Sequence, residues 1–255
     1  MGKKLGQHFL RNKEILKRIV EVSEINSSDT VVEIGAGMGD LTEFLVEKAK
    51  EVIAIEIDPA LFKILKERFF NKENLKLVNL DALKFPYEEL PNFKVVANIP
   101  YYITKPIIFR LIELKNLLSM TVTLQKEVAE RIIAKPKTKA YSLLTIIVQY
   151  YTTADLKFYI PPHFFTPPPE VTSAVVKIDR RDTPAVKVED EKLFFKVVRS
   201  AFSKRRKIIS NSLKSIVDEP KAFLLNIGID PMKRAEELSI EDFAKISNRL
   251  TILKK

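Results

Sequence analysis

The chain has 255 residues, 46% of them hydrophobic and 30% charged, and a formal net charge of +10, a composition that folds around a core and excludes a disordered chain. It contains no Cys and only two His, which excludes a disulfide framework, a thiolate metal site and a Cys nucleophile, so no metal is expected. Charges interrupt every apolar run, so neither a signal-peptide core nor a membrane-spanning stretch is expected and the chain reads as cytoplasmic, with a basic balance that attracts polyanions, nucleic acid foremost.

In chain order, short β-branched runs at 30–34 and 51–56 alternate with amphipathic stretches at 41–50 and 59–70, the βαβ pattern of a mostly parallel sheet. Asp58 is placed to cap the second helix, with Pro59 at its first position and Leu61, Ile64, Leu65 and Phe69 at helical spacing. Further strands are expected at 75–78, 94–97, 120–124, 145–150 and 173–178, enough for one doubly wound domain. Beyond about residue 183 the pattern changes to helices at 192–202, 207–216, 221–227 and 240–253. The expected division is an α/β domain over 1–182 and a small helical domain over 183–255. The second part is the more basic per residue, since 186–255 carries 16 Lys+Arg against 10 Asp+Glu.

Chemistry concentrates in four places. The segment Val32-Glu33-Ile34-Gly35-Ala36-Gly37-Met38-Gly39 runs from a strand into a Gly-rich turn that opens a helix, where a ligand can approach the backbone without Cβ interference. Its GxGxG spacing also suits a plain tight turn, and no Lys-Ser or Lys-Thr follows for a phosphate loop. Glu56 ends the next strand 21 residues after Gly35, where a carboxylate can accept both hydroxyls of a ribose. Asp81 follows the third strand and can accept from the exocyclic amine of a bound adenine or cap its own loop.

The second place is Asn98-Ile99-Pro100-Tyr101. The Asn98 amide oxygen and the Pro100 carbonyl are two acceptors able to hold the hydrogens of an aromatic amine, with Tyr101 as a face for the base; a plain Asn-x-Pro turn is the alternative. The third runs from Pro161 to Val171, where five prolines stiffen a loop presenting Phe164 and Phe165, either a stacking partner opposite Tyr101 or part of the core. His163 is taken as structural or exposed. The fourth is basic: Arg199, Lys204, Arg205, Arg206, Lys207 and Lys214, with no acid between 199 and 214, and at the other end Lys3, Lys4, Arg11, Lys13, Lys17 and Arg18 against Glu14 alone. Basic segments at both ends fit a phosphate-contacting surface, although a solvated helix face has the same composition.

Together these segments, with Gly6 to Leu10, Leu124 to Val128, Phe165 to Pro169 and Arg205-Arg206-Lys207 followed by Asn211-Ser212-Leu213, resemble the KsgA-type small-subunit rRNA adenine dimethyltransferases, a branch of the family that includes the Erm resistance methyltransferases. The resemblance covers nearly the full length. It implies a Rossmann-like class I methyltransferase domain, with an antiparallel strand near the sheet edge and a small all-α C-terminal domain, and S-adenosylmethionine as cofactor. By that similarity His8 and Leu10 line the cofactor, Gly35 and Gly37 approach its methionine part, Glu56 binds ribose, Asp81 binds the adenine amine, Ile57 and Ala82 are further cofactor-binding residues, and Asn98 lies between cofactor and target. Asn98, Pro100, Tyr101 and Phe165 are the catalytic set, and Lys204, Arg205, Arg206 and Lys207 the RNA-binding set. The implied substrate is two neighbouring adenosines in the 3′-terminal hairpin loop of 16S rRNA in the small ribosomal subunit, each dimethylated at N6 by a monomeric enzyme with a role in subunit biogenesis. The chain departs from the family pattern at His8, Tyr102 and Lys105, which touches the cofactor contact and the seating of the second adenosine. Two other classes share parts of this pattern: an Erm-type enzyme acting on large-subunit rRNA, and a non-catalytic assembly factor.

Overall fold

The computed structural model describes residues 8–204 and 206–253; Lys3, Lys4, Gly6, Gln7 and Arg205 lie outside the described residues. The chain runs β1 (Phe9–Leu10), α1 (Lys13–Val22), β2 (Thr30–Ile34), α2 (Thr42–Lys48), β3 (Glu51–Ile55), α3 (Pro59–Arg68), β4 (Leu75–Val78), β5 (Phe93–Asn98), α4 (Thr104–Ile112), β6 (Leu117–Gln125) and α5 (Lys126–Ile132). It continues through α6 (Leu143–Tyr151), β7 (Thr152–Ile160), β8 (Phe165–Thr166), β9 (Ser173–Arg180), α7 (Glu191–Phe202), α8 (Ile209–Ser212), α9 (Pro220–Asn226) and α10 (Ile240–Leu253).

Seven strands form one sheet in the order β4-β3-β2-β5-β6-β9-β7, and β1 pairs with β8 in a separate two-stranded sheet. The pairs from β4 through β6 are parallel, and β9 lies antiparallel to β6. All five residues of β2 are buried, as a central parallel strand covered on both faces requires. The chain order reverses direction between β2 and β5, which makes their carboxyl ends the switch point where open α/β sheets bind ligands. Asp58 does cap α3, its carboxylate accepting the Ala60 N–H at 2.8 Å.

Leu16, Ile19 and Val20 of α1 and Leu45 and Val46 of α2 pack in one buried cluster with Val31, Val52, Val96 and Val175 of the sheet. Leu45 is fully buried there. Leu45→Ala is expected to cost about 3 kcal/mol through lost burial and a residual cavity, read as a lower urea midpoint; a loss under about 1 kcal/mol would contradict this packing.

The strand expected at 145–150 is the helix α6. Ser142 holds its first turn, its N–H donating to Thr145 Oγ1 at 2.9 Å and its hydroxyl lying 3.2 Å from the same atom. The run Leu143–Tyr151 is apolar on all sides and nearly all buried, so periodicity cannot separate a buried helix from a buried strand. The strand comes next, as β7. The helix expected at 207–216 contracts to the four residues of α8, because Ile208 forms an antiparallel bridge with Arg234. The helices α1, α4 and α5 fall outside the elements expected from the sequence.

The chain divides into two compact units, residues 1–129 with 153–180, and 130–152 with 181–255. Within the second, Tyr150 stacks on Phe194 at 5.0 Å and the Tyr151 hydroxyl donates to Glu191 at 2.6 Å. Among the described residues no helix is long and apolar enough to cross a membrane.

Candidate active site

The turn after β2 takes its shape from glycines. Gly35 and Gly37 have φ of +75° and +61°, the left-handed region that L side chains rarely adopt. A Cβ on Gly35 would meet Pro100 at 3.1 Å and one on Gly37 the Phe9 ring at 3.2 Å. The loop is thus pressed between β1 and the turn after β5. The N–H groups of Gly35 and Ala36 donate to the Ile55 carbonyl at 2.8 and 3.2 Å, which ties this turn to the end of β3, where Glu56 follows.

Glu56 is nearly fully buried. One carboxylate oxygen accepts the Gly37 N–H at 2.8 Å and the other the Asp58 N–H at 2.9 Å. Burial pushes its pKa above the ordinary carboxylate range, opposed chiefly by these two hydrogen bonds. Each oxygen keeps acceptor capacity, so the group can still take a pair of hydroxyls. Asp81 caps the short turn after β4, accepting the Leu83 N–H at 3.0 Å.

Asn98 closes β5. Its amide nitrogen donates to the His8 carbonyl at 3.2 Å, which commits the Nδ2 end and leaves the oxygen end as an oriented acceptor. His8 is itself held, with Nδ1 2.8 Å from the Pro167 carbonyl and its ring 5.6 Å from that of Tyr101. The Tyr101 hydroxyl lies 2.6 Å from Ser173 Oγ, which fixes the ring. The Pro100 carbonyl already accepts the Ile103 N–H at 3.1 Å and the Thr104 hydroxyl at 3.4 Å, so Asn98 is the better prepared of the two acceptors. Phe165 is buried opposite Leu10 in the β1–β8 pair and belongs to the core cluster that holds Leu16 and Leu45.

One cavity of about 440 Å³ brings these residues together. Its walls include His8, Leu10, Gly35, Gly37, Glu56, Ile57, Asp81, Ala82, Asn98, Pro100, Tyr101 and Phe165. Tyr102 also lines it, while Lys105 is exposed and does not. Lys204, Arg206 and Lys207 are exposed residues of the second compact unit. His163 is exposed in a short turn, its ring 4.3 Å from that of Phe164.

Sequence reasoning leaves two acidic wall residues without a role, Glu33 and Asp40. Glu33 is buried within β2, and the Thr42 hydroxyl donates to its carboxylate at 2.6 Å. Burial, reinforced by the Glu56 and Asp40 carboxylates and opposed by the Thr42 hydrogen bond, pushes its pKa up to about 8. The signal in the sequence is a lone carboxylate inside the otherwise uncharged run Thr30–Ile34.

The family model described as ribosomal RNA adenine dimethylase matches residues 1–251. A ribosomal RNA small subunit methyltransferase A from Clostridium botulinum is 47% identical over 255 residues, covering 97% of this chain and 93% of its own. A dimethyladenosine transferase from Plasmodium falciparum superposes with a TM-score of 0.82 at 30% identity, over 94% of this chain and 96% of its own. The 23S rRNA methyltransferase ErmE superposes with a TM-score of 0.76 at 28% identity, over 95% and 99%. With the family model matched over residues 1–251 and a relative 47% identical over 97% of the chain, the chain belongs to the ribosomal RNA adenine dimethylase family.

Proposed function

We propose that this chain transfers methyl groups from S-adenosylmethionine to N6 of two adjacent adenosines in the 3′-terminal hairpin loop of 16S rRNA, in the small ribosomal subunit. It acts as a cytoplasmic monomer, with a catalytic domain in 1–182 and a helical RNA-binding domain over 183–255, the segment 130–152 packing with the latter unit rather than with the rest of 1–182. The observation that carries this reading is the single cavity at the switch point, where a ribose-type acceptor, Glu56, and an amine-type acceptor, Asn98, share one enclosure.

The residues present fit the cofactor. Gly35 and Gly37 form a turn that a Cβ would obstruct, Glu56 offers paired acceptors for two hydroxyls, and Asp81 with Ala82 and Ile57 borders the same wall. When bound, S-adenosylmethionine supplies a methyl group already activated on a sulfonium, so no nucleophilic side chain is needed. The task left to the protein is positioning. Asn98 Oδ1 accepts an N6–H of the target adenine and turns the nitrogen lone pair out of the ring plane. Tyr101 and Phe165 border the base, and the displaced proton leaves to water. A monomethylated amine keeps one hydrogen, which Asn98 alone can hold, so a second transfer proceeds in the same site.

Lys204, Arg206 and Lys207 supply exposed positive charge for RNA phosphates. An Arg206→Glu/Lys207→Glu double variant is expected to bind small subunits about tenfold more weakly at low salt, with a shallower salt dependence and unchanged cofactor affinity. An unchanged salt slope in filter binding would remove these residues from the RNA interface. The proposal itself is tested by offering radiolabelled S-adenosylmethionine with small and large subunits in one reaction. Label confined to 16S rRNA supports it; label in 23S rRNA, or subunit binding without label, contradicts it.

A further inference from the structure

Among the described residues the cavity wall holds four carboxyl groups, those of Glu33, Asp40, Glu56 and Asp81, and no Lys or Arg. Glu33 is the most enclosed, only 2% exposed. The groups acting on it are the Thr42 hydroxyl from α2, 2.6 Å away, the Glu56 carboxylate beyond β3, and the Asp40 carboxylate from the preceding turn, which is itself paired with Arg68 of α3 at 3.2 Å; among the described residues no cation is paired with Glu33 itself. A carboxyl this deeply buried, with a hydroxyl but no cation of its own as partner, holds its proton. Its pKa near 8 agrees with that geometry.

The methyl donor assigned above carries one net positive charge, whereas its thioether product carries none. Both have the same adenine and ribose, so Glu56 and Asp81 serve them alike. Resting on that cofactor assignment, we propose that Glu33 is the residue by which the site distinguishes the sulfonium donor from the spent thioether: its carboxyl is neutral in the free protein and ionises when the cation shares its cavity. The proton goes to solvent on binding. It returns once the S–CH₃ bond has broken, the N–CH₃ bond has formed and the positive charge has left with the N6 proton. The spent product then faces a neutral Glu33 and has lost its counter-charge, which favours release.

The test is calorimetric titration of the full chain and of Glu33→Gln with S-adenosylmethionine and S-adenosylhomocysteine, in buffers of differing ionisation enthalpy. Gln is close to the shape of a neutral Glu and keeps an acceptor for Thr42, so the variant is expected to fold and bind both ligands. In the unaltered chain at about pH 7, the donor should release about half a proton or more and the product close to none. The affinity ratio of donor to product should rise about fivefold between about pH 6 and about pH 7.5, and Glu33→Gln should flatten it. A flat ratio in the unaltered chain, with both ligands bound, overturns the role of Glu33 and leaves the proposed function standing. A pH-dependent ratio that survives in Glu33→Gln assigns the effect to another acid and also overturns it. Failure of both ligands to bind the unaltered chain overturns the cofactor assignment, and the role of Glu33 with it.

Discussion

Asn98→Ala is expected to slow single-turnover methyl transfer by about two to three orders of magnitude while leaving cofactor affinity within about tenfold. The separation follows from where Asn98 sits. Its Nδ2 is tied to the His8 carbonyl, so the oxygen is aimed before any substrate arrives, and an amide already oriented loses little freedom when it accepts the amine. Alanine removes the acceptor and releases the His8 carbonyl, but leaves Glu56, Asp81 and the glycine turn in place. Asn98→Asp distinguishes acceptor from donor: it keeps an oxygen, loses the N–H to His8 and places a charge there, so transfer should fall as well. Undiminished turnover in Asn98→Ala, measured with a single labelled methyl per enzyme, would remove Asn98 from the mechanism.

Glu56→Ala is expected to act on the other half of the reaction, weakening cofactor binding by about a hundredfold with a much smaller effect on transfer at saturating cofactor. Two losses combine. The carboxylate that takes the ribose hydroxyls is gone, and the Gly37 and Asp58 N–H groups that it accepts at 2.8 and 2.9 Å lose their partner. Glu56→Gln keeps one acceptor and should lose less. Because burial raises the Glu56 pKa, its ionised form, the one that accepts hydroxyls best, is lost as pH falls through a range above that of an ordinary carboxylate. Affinity for both donor and product should fall together as pH drops through that range; equilibrium binding in Glu56→Gln should lack that common component.

The contrast between these two residues shows what a sequence can carry. Glu56 and Asn98 lie at the ends of β3 and β5, short apolar runs broken by turn residues, and a polar residue at the end of such a run is legible from residue order alone. Pairing in parallel order then brings both to one switch point. For Phe165 the sequence allows either a stacking partner or a core residue. It is a core residue that also forms part of the cavity wall, a dual position that depends on how the β1–β8 pair folds back and is not encoded within the Pro-rich segment. The error at α6 has a different source: Thr145, Ile146, Ile147 and Val148 have high strand propensity, yet tertiary burial and the turn at Ser142 decide for a helix. Glu33 shows in the sequence only as a lone carboxylate in an uncharged strand run; its proximity to Asp40 and Glu56 across separate loops exists only once the chain is folded.

The proposed function places a nucleoside-type cofactor site and a site for an adenine amine of small-subunit rRNA in one cavity. Its most direct measurement is the nucleoside composition of 16S rRNA after exhaustive reaction of unmethylated small subunits with the purified protein and S-adenosylmethionine, read by mass spectrometry. Dimethyladenosine is expected at two adjacent positions of the 3′-terminal hairpin loop, and none with Asn98→Ala. Methylation at any other base, or dimethyladenosine in 23S rRNA alone, would contradict it.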